Sequence, residues 1–227
     1  MPSAWLWIAV LLFLTLLFRK SGTYGHFQIN AIDGLSAFLN IANFHYAECV
    51  VSGTAVCGSS PLGVYWSLSL EEQFYFLLPL LIAILRKRLA VFCLLMVCLQ
   101  FFIERNPADS YLWFLRTDAI CLGVLLAVFH QSKAAEIMRP TGLGNFSLRW
   151  LIFIVLIFSL GAVPAQRMVF FSTGIVALVS AALVFISSYN SGYLMKDWLL
   201  RKILVWIGGR SFAIYLIHWP VFLLIAE

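Results

Sequence analysis

Ionisable and hydroxyl side chains sit inside three runs that are otherwise apolar. WSLSLEEQFYFLLPLLIAILRKR, residues 66–88, carries Glu71 and Glu72; FLRTDAICLGVLLA carries Arg116 and Asp118; WIGGRSFAIYLIHWPVFLL carries Arg210, Ser211, Tyr215 and His218. An ionised carboxylate near the centre of a bilayer costs roughly 2.5–3.5 kcal/mol on insertion scales, so a chain that keeps one there usually uses it. A carboxylate, a guanidinium, a phenol and an imidazole converging in one embedded cavity suit general acid–base chemistry or a proton pathway. The bland alternatives are a buried ion pair for the glutamates and a hydrogen-bonded core position for His218.

Helical periodicity sorts these groups onto faces. Ser67, Glu71 and Tyr75 recur every four residues and stack on one stripe, while Glu72 points roughly 100° away. Trp66 suits the membrane–water interface, and Pro79, four residues beyond Tyr75, frees a backbone carbonyl. Arg116 and Asp118, two residues apart, cannot share a helix face, so each needs its own partner on a neighbouring helix. Tyr215 and His218 lie one turn apart, on a face that passes near Ser211.

The elements that must position them are read from composition. Of 227 residues, 63% are hydrophobic and 11% charged, far from the roughly 25% charged residues of a soluble domain. The expected fold is all-α, a polytopic transmembrane helical bundle of about seven spans, near 3–18, 64–85, 89–103, 111–129, 150–164, 168–187 and 204–226. Nothing in the chain marks a linker or an internal repeat, so residues 1–227 read as one membrane domain. Basic residues gather in alternate loops (Arg86, Lys87 and Arg88; Lys133, Arg139 and Arg149; Lys196, Arg201 and Lys202), which places those loops in the cytoplasm and the Glu71 end of its span outward. The segment between Arg19 and Gly63 contains AIDGLSAFLNIANFHY, expected as a short interfacial helix with Phe38, Phe44 and Tyr46 at headgroup level. Cys49 and Cys57 share this outward loop, and an oxidising compartment there favours a disulfide between them. The net charge of +5 comes without a basic patch interleaved with stacking aromatics, so nucleic acid is not expected as a partner. Neither GxxxxGK[ST] nor GxGxxG occurs, which argues against nucleotide hydrolysis within this chain.

The three polar stretches also carry a resemblance. WSLSLEEQFYFLLPLL, FLRTDAICLGVLLA and WIGGRSFAIYLIHWPVFLL resemble, in order and spacing, three hallmarks of the acyltransferase-3 family, multi-pass membrane proteins that O-acylate cell-surface sugars and other exported acceptors. The resemblance implies functional roles for Glu71, Arg116, Tyr215 and His218 as the catalytic set. Trp66, Ser67, Tyr75, Asp118, Arg210 and Ser211 are the expected substrate-binding surroundings, with Glu72 the less constrained neighbour. Family members begin with one or two further spans, carrying an Arg-Gly-Leu-Arg-like segment and a histidine usually assigned as base, and end with another span; the chain is therefore expected to be shortened at both ends.

What the resemblance implies is an O-acyltransferase of the plasma membrane (the inner membrane where there are two). It would take an acyl group, acetyl from acetyl-CoA on the cytoplasmic side, to a hydroxyl of an outward-facing carbohydrate. No bound cofactor and no metal are expected; membrane lipids, the acyl donor and the carbohydrate acceptor are the expected partners. Two other classes stay open: a transporter or channel subunit with an intramembrane Glu/Arg/His relay, and an inactive fragment with a structural role.

Overall fold

The computed structural model describes residues 2–53, 60–103, 110–141, 146–165, 171–189 and 199–225. Every regular element among them is helical. In chain order these are α1 (Pro2–Leu17), α2 (Phe27–Phe38), α3 (Ala42–Val51), α4 (Tyr65–Leu85), α5 (Leu89–Phe102), α6 (Asp118–His130), α7 (Lys133–Ile137), α8 (Phe146–Ala165), α9 (Ser172–Ser188), α10 (Leu199–Gly208) and α11 (Ser211–Ile225). Short 3₁₀ turns occupy Arg86–Arg88 and Tyr111–Trp113. The helices gather into two compact units. One comprises Met1–Leu80, Asn106–Leu115 and Ile207–Glu227, the other Leu81–Arg105 and Arg116–Trp206.

In the first unit α1 buries Ala4, Ile8, Leu11 and Thr15, one stripe at helical spacing. Its small residues let other elements come close: the Tyr65 hydroxyl donates to Ala4 O at 2.8 Å. Gly34 on α2 sits where an added Cβ would lie 3.2 Å from Ile8 Cγ2, the close approach that small residues permit at helix interfaces. Asn30 ties α2 down, donating through Nδ2 to Thr15 Oγ1 (2.9 Å) and Tyr24 O (2.6 Å) and accepting from Ser60 Oγ (3.2 Å). Leu62, Tyr65, Leu68, Phe114 and Leu216 complete the core.

In the second unit α5 and α9 pack on α6, and α8 packs on α9. Cys93 and Cys121 meet as buried free thiols between α5 and α6, as expected of small packing residues. An added Cβ at Gly174 would lie 2.5 Å from Phe101 Cδ2, and the Phe101 ring stacks on Phe171 with centroids 5.4 Å apart.

Several expectations need correction. By length and composition one helical stretch among the described residues, Tyr111–His130, suffices to cross a membrane, or two if Arg201–Gly208 and Ser211–Ile225 count as one bent span; seven separate spans are not established. The expected 111–129 helix is interrupted: the Ser110 hydroxyl caps the 3₁₀ turn by accepting from Leu112 N. Regular α-helix restarts only at Asp118, where Gln100 Oε1 accepts from the Thr117 and Asp118 amides at 2.9 and 3.1 Å. The expected 204–226 helix breaks after Gly208. The single interfacial helix becomes α2 and α3, separated by Asn40 in a left-handed conformation (φ 56°). Phe38 and Phe44 are exposed, whereas Tyr46 is buried in the core rather than lying at headgroup level.

Candidate active site

The amino-terminal half of α4 presents two polar faces. Ser69 and Gln73 turn toward α3: Ser69 Oγ accepts from Ala42 N at 3.3 Å, and Gln73 forms a reciprocal amide pair with Asn43 while donating to Asn40 O at 2.7 Å. Ser67, Glu71 and Tyr75 occupy the opposite stripe. Glu71 and Tyr75 are exposed, and among the described residues Glu71 makes no hydrogen bond and no ion pair.

Helix α11 supplies the facing groups. The Tyr215 hydroxyl is hydrogen-bonded to the Ser67 hydroxyl and donates to Val64 O at 3.0 Å. The His218 ring lies 5.5 Å from the Tyr215 ring, and its Nδ1 is 2.6 Å from Tyr215 O. A carbonyl only accepts, so Nδ1 carries the hydrogen and the neutral ring keeps its lone pair on Nε2. The helix is held in place by Trp219 Nε1 donating to Ser60 O (3.1 Å) and by Trp7 Nε1 donating to Leu216 O (2.9 Å). Trp66 packs edge-on against Phe114, 5.3 Å between ring centres.

Ser67, Tyr215 and His218 thus come together within the first unit. Arg210, at the break before α11, and Ser211, the first residue of α11, are exposed there. Arg116 and Asp118 belong to the second unit: Arg116 lies in the non-helical link before α6, and Asp118 is buried in the first turn of α6, where a carboxylate meets the positive end of the helix dipole. The same unit has an apolar cavity of about 620 Å³ lined by Leu122, Leu126, Phe129, Ala181 and Phe185, with Ser132 its one hydroxyl. Cys49 is disulfide-bonded, while Cys93, Cys98 and Cys121 are free thiols; Cys57, its expected partner, lies outside the described residues.

The sequence profile described as "Acyltransferase domain" matches residues 2–227. The chain belongs to the acyltransferase-3 family. Two relatives share its pattern at 26% identity: "O-acetyltransferase OatA" of Staphylococcus aureus, over 97% of this chain and 38% of the relative, and "Putative peptidoglycan O-acetyltransferase YrhL" of Bacillus subtilis, over 85% and 33%. The chain therefore spans about a third of the length of these curated relatives. No solved structure matches.

Reading the sequence missed the family domain's amide contacts, Asn43–Gln73 and Gln100–Thr117, and a carboxylate–imidazole pair, Asp33–His45, whose Nε2–Oδ1 distance is 2.7 Å. The signal for Gln73 was in view, since a third polar side chain directly after Glu71 and Glu72 in an apolar helix demands a partner. Asp33 and His45 stand 12 residues apart on separate helices, and no spacing rule joins them.

Proposed function

We propose that this chain is the membrane-embedded transfer domain of an O-acyltransferase that moves an acyl group, acetyl from acetyl-CoA, to a hydroxyl of an exported or cell-surface carbohydrate. The observation that carries this reading is the meeting of Ser67, Tyr215 and His218 on facing helices. There the Ser67 and Tyr215 hydroxyls are linked, and the His218 ring, its Nε2 lone pair held available, lies against the Tyr215 ring. Acyl transfer to a hydroxyl needs a base for the hydroxyl proton, a donor for the developing oxyanion, and exclusion of water.

In this reading His218 accepts the acceptor's proton and Tyr215 returns one. Glu71 orients the reacting groups, and Arg116 supplies positive charge for the donor. Trp66, Ser67, Tyr75, Asp118, Arg210 and Ser211 shape the surroundings. The relatives' names support acetyl as the group and, in one case, peptidoglycan as the acceptor class. A multi-pass place in the plasma membrane is supported by family membership and by the many large apolar side chains left exposed, among them Leu77, Leu80, Ile84, Leu94 and Leu95.

The test uses the full-length native protein in sealed membranes, supplied with radiolabelled acetyl-CoA and purified peptidoglycan glycan strands. Label bound covalently to the glycan supports the reading. Movement of a substrate across the membrane with no covalent label would replace it with the transporter reading.

A further inference from the structure

The second unit holds a cavity that the acyl-transfer reading leaves unused. Its walls come from three helices: Ala90 on α5, Leu122, Leu126 and Phe129 on α6, and Ala181 and Phe185 on α9. Both α5 and α9 pack on α6, but the alanines they bring to this part of the contact are too small to fill the space in front of the α6 leucines, and a gap of about 620 Å³ remains. That volume lies within the roughly 300–1,000 Å³ of ligand pockets. Val128, also on the wall, is 41% exposed, so the cavity opens on the surface of the unit.

The lining favours a hydrocarbon chain. Its one hydroxyl, Ser132, already donates to Phe129 O at 2.6 Å, so no lining side chain has a hydrogen left to give. The pantetheine arm of a coenzyme A thioester carries two amides, which such a wall would strip of water and leave largely unpaired. An alkyl chain has no polar group to lose and gains by leaving water.

The same end of the unit is basic. Ala90 follows the Arg86–Arg88 turn by two residues, and Ser132 directly precedes Lys133, the first residue of α7. Arg86, Lys87, Arg88 and Lys133 are exposed, and among the described residues none of them enters an ion pair. Lys133 is kept beside the wall because the Tyr189 hydroxyl, just beyond α9, donates to Ala135 O of α7 at 2.8 Å. Glu136 is the carboxylate on α7, and against these four cations it leaves the balance positive. An apolar cavity with cations beside it matches a lipid whose chain is apolar and whose headgroup is anionic. The loops concerned are those expected in the cytoplasm, on the leaflet where anionic lipids concentrate.

We propose that this cavity holds one acyl chain of an anionic phospholipid, whose headgroup phosphate is bound by Lys133 and the Arg86–Arg88 turn. The lipid is bound and not consumed. The site lies within the second unit, whereas Ser67, Tyr215 and His218 lie in the first, so it stands independently of the acyl-transfer reading.

The test takes the full-length protein in mild detergent and offers it dioleoylphosphatidylglycerol or dioleoylphosphatidylcholine, which have the same chains. Native mass spectrometry should find one phosphatidylglycerol retained per chain, at least about tenfold more tightly than phosphatidylcholine, and added phosphatidylglycerol should raise the thermal midpoint. Ala181→Phe, and Ala90→Leu from another helix, fill the cavity without touching a charge; folded by elution volume and midpoint, they should lose the lipid about tenfold or more. Arg88→Gln with Lys133→Gln should instead remove the preference for phosphatidylglycerol. Equal retention of the two lipids, unchanged retention in a folded filled variant, no retained lipid in the parent, or displacement of phosphatidylglycerol by acetyl-CoA each overturns the proposal. A phosphatidylglycerol with a diazirine in mid-chain should label the peptides spanning 122–129 and 181–185. Label confined to other peptides overturns the proposal even where a filled variant does not fold.

Discussion

Replacing Glu71 with glutamine separates chemistry from architecture in the α4 stripe. A glutamate that only neutralised a buried arginine would leave an uncompensated charge when replaced, at a cost of about 3–5 kcal/mol. For a chain of this size, 1 kcal/mol moves the thermal midpoint by about 2–4 °C, so that loss would read as roughly 6–20 °C. Glu71 is exposed and makes no hydrogen bond or ion pair among the described residues. The expected stability change is therefore within about 0.5 kcal/mol, or about 2 °C at most. Glutamine keeps the shape but not the charge, so acetyl transfer per folded molecule should fall by about 10²–10⁴-fold if the carboxylate acts in the reaction. Glu72→Gln, off the Ser67–Tyr75 stripe, should be far milder. The assay is labelled acetyl transfer normalised to folded full-length protein, with a thermal midpoint for each variant in the same detergent. Unchanged specific activity in Glu71→Gln would remove the carboxylate from the mechanism. A midpoint lowered by more than about 6 °C would show a structural partner and refute the reasoning from exposure.

Tyr215→Phe loses the bonds to Ser67 and Val64 O; transfer should fall about 10–100-fold while stability drops by about 1 kcal/mol, as thermal melts of folded protein will show. Gly174→Ala forces a methyl group against the Phe101 ring and should cost about 1–3 kcal/mol. Gly161→Ala, which meets nothing within 4 Å, should be neutral or stabilising by up to about 1 kcal/mol in the same melts. Burial, and then the neighbouring Asp33 carboxylate, hold the Tyr46 hydroxyl well above its ordinary value of 10.0. Its proton is held more tightly in the folded state, so this contribution to stability is present below about pH 10 and is lost as pH rises toward the folded value. Denaturant melts should show a steeper alkaline loss for the parent than for Tyr46→Phe.

The helices that the sequence disclosed best are those whose ends are marked locally. The expected 64–85 and 89–103 appear as Tyr65–Leu85 and Leu89–Phe102, because an apolar run is bounded there by Trp66 on one side and by Arg86, Lys87 and Arg88 at the turn. The break before Asp118 was hidden, since the group that takes up the Thr117 and Asp118 amides is Gln100, on another helix. The break after Gly208 had a local sign in the consecutive glycines, which apolar content outweighed in reading 204–226 as one helix. Part of the arrangement was legible in the same way: residue type points to Ser67 and Tyr215, whose hydroxyls are hydrogen-bonded across helices, and helical spacing puts His218 against Tyr215, whereas Asp33 with His45 depends on a contact between helices that only the fold supplies.

The polar residues that open α4 show how one helix serves both purposes. Ser67, Ser69, Glu71, Gln73 and Tyr75 alternate with other residues at a period of two, the spacing of a strand. On an α-helix each step of two turns the side chain by about 200°, so the alternation deals these residues onto two opposite faces. Ser69 and Gln73 fall on one, where the Ala42 amide, Asn40 O and the Asn43 side chain satisfy them. Ser67, Glu71 and Tyr75 fall on the other, where Tyr215 reaches Ser67. The first face is closed by hydrogen bonds, which sets the rotation of α4 about its own axis. That rotation in turn decides which carboxylate stands on the open stripe. Disturbing Gln73 should therefore harm transfer without removing any reacting group, because a turned α4 would offer Glu72 where Glu71 belongs.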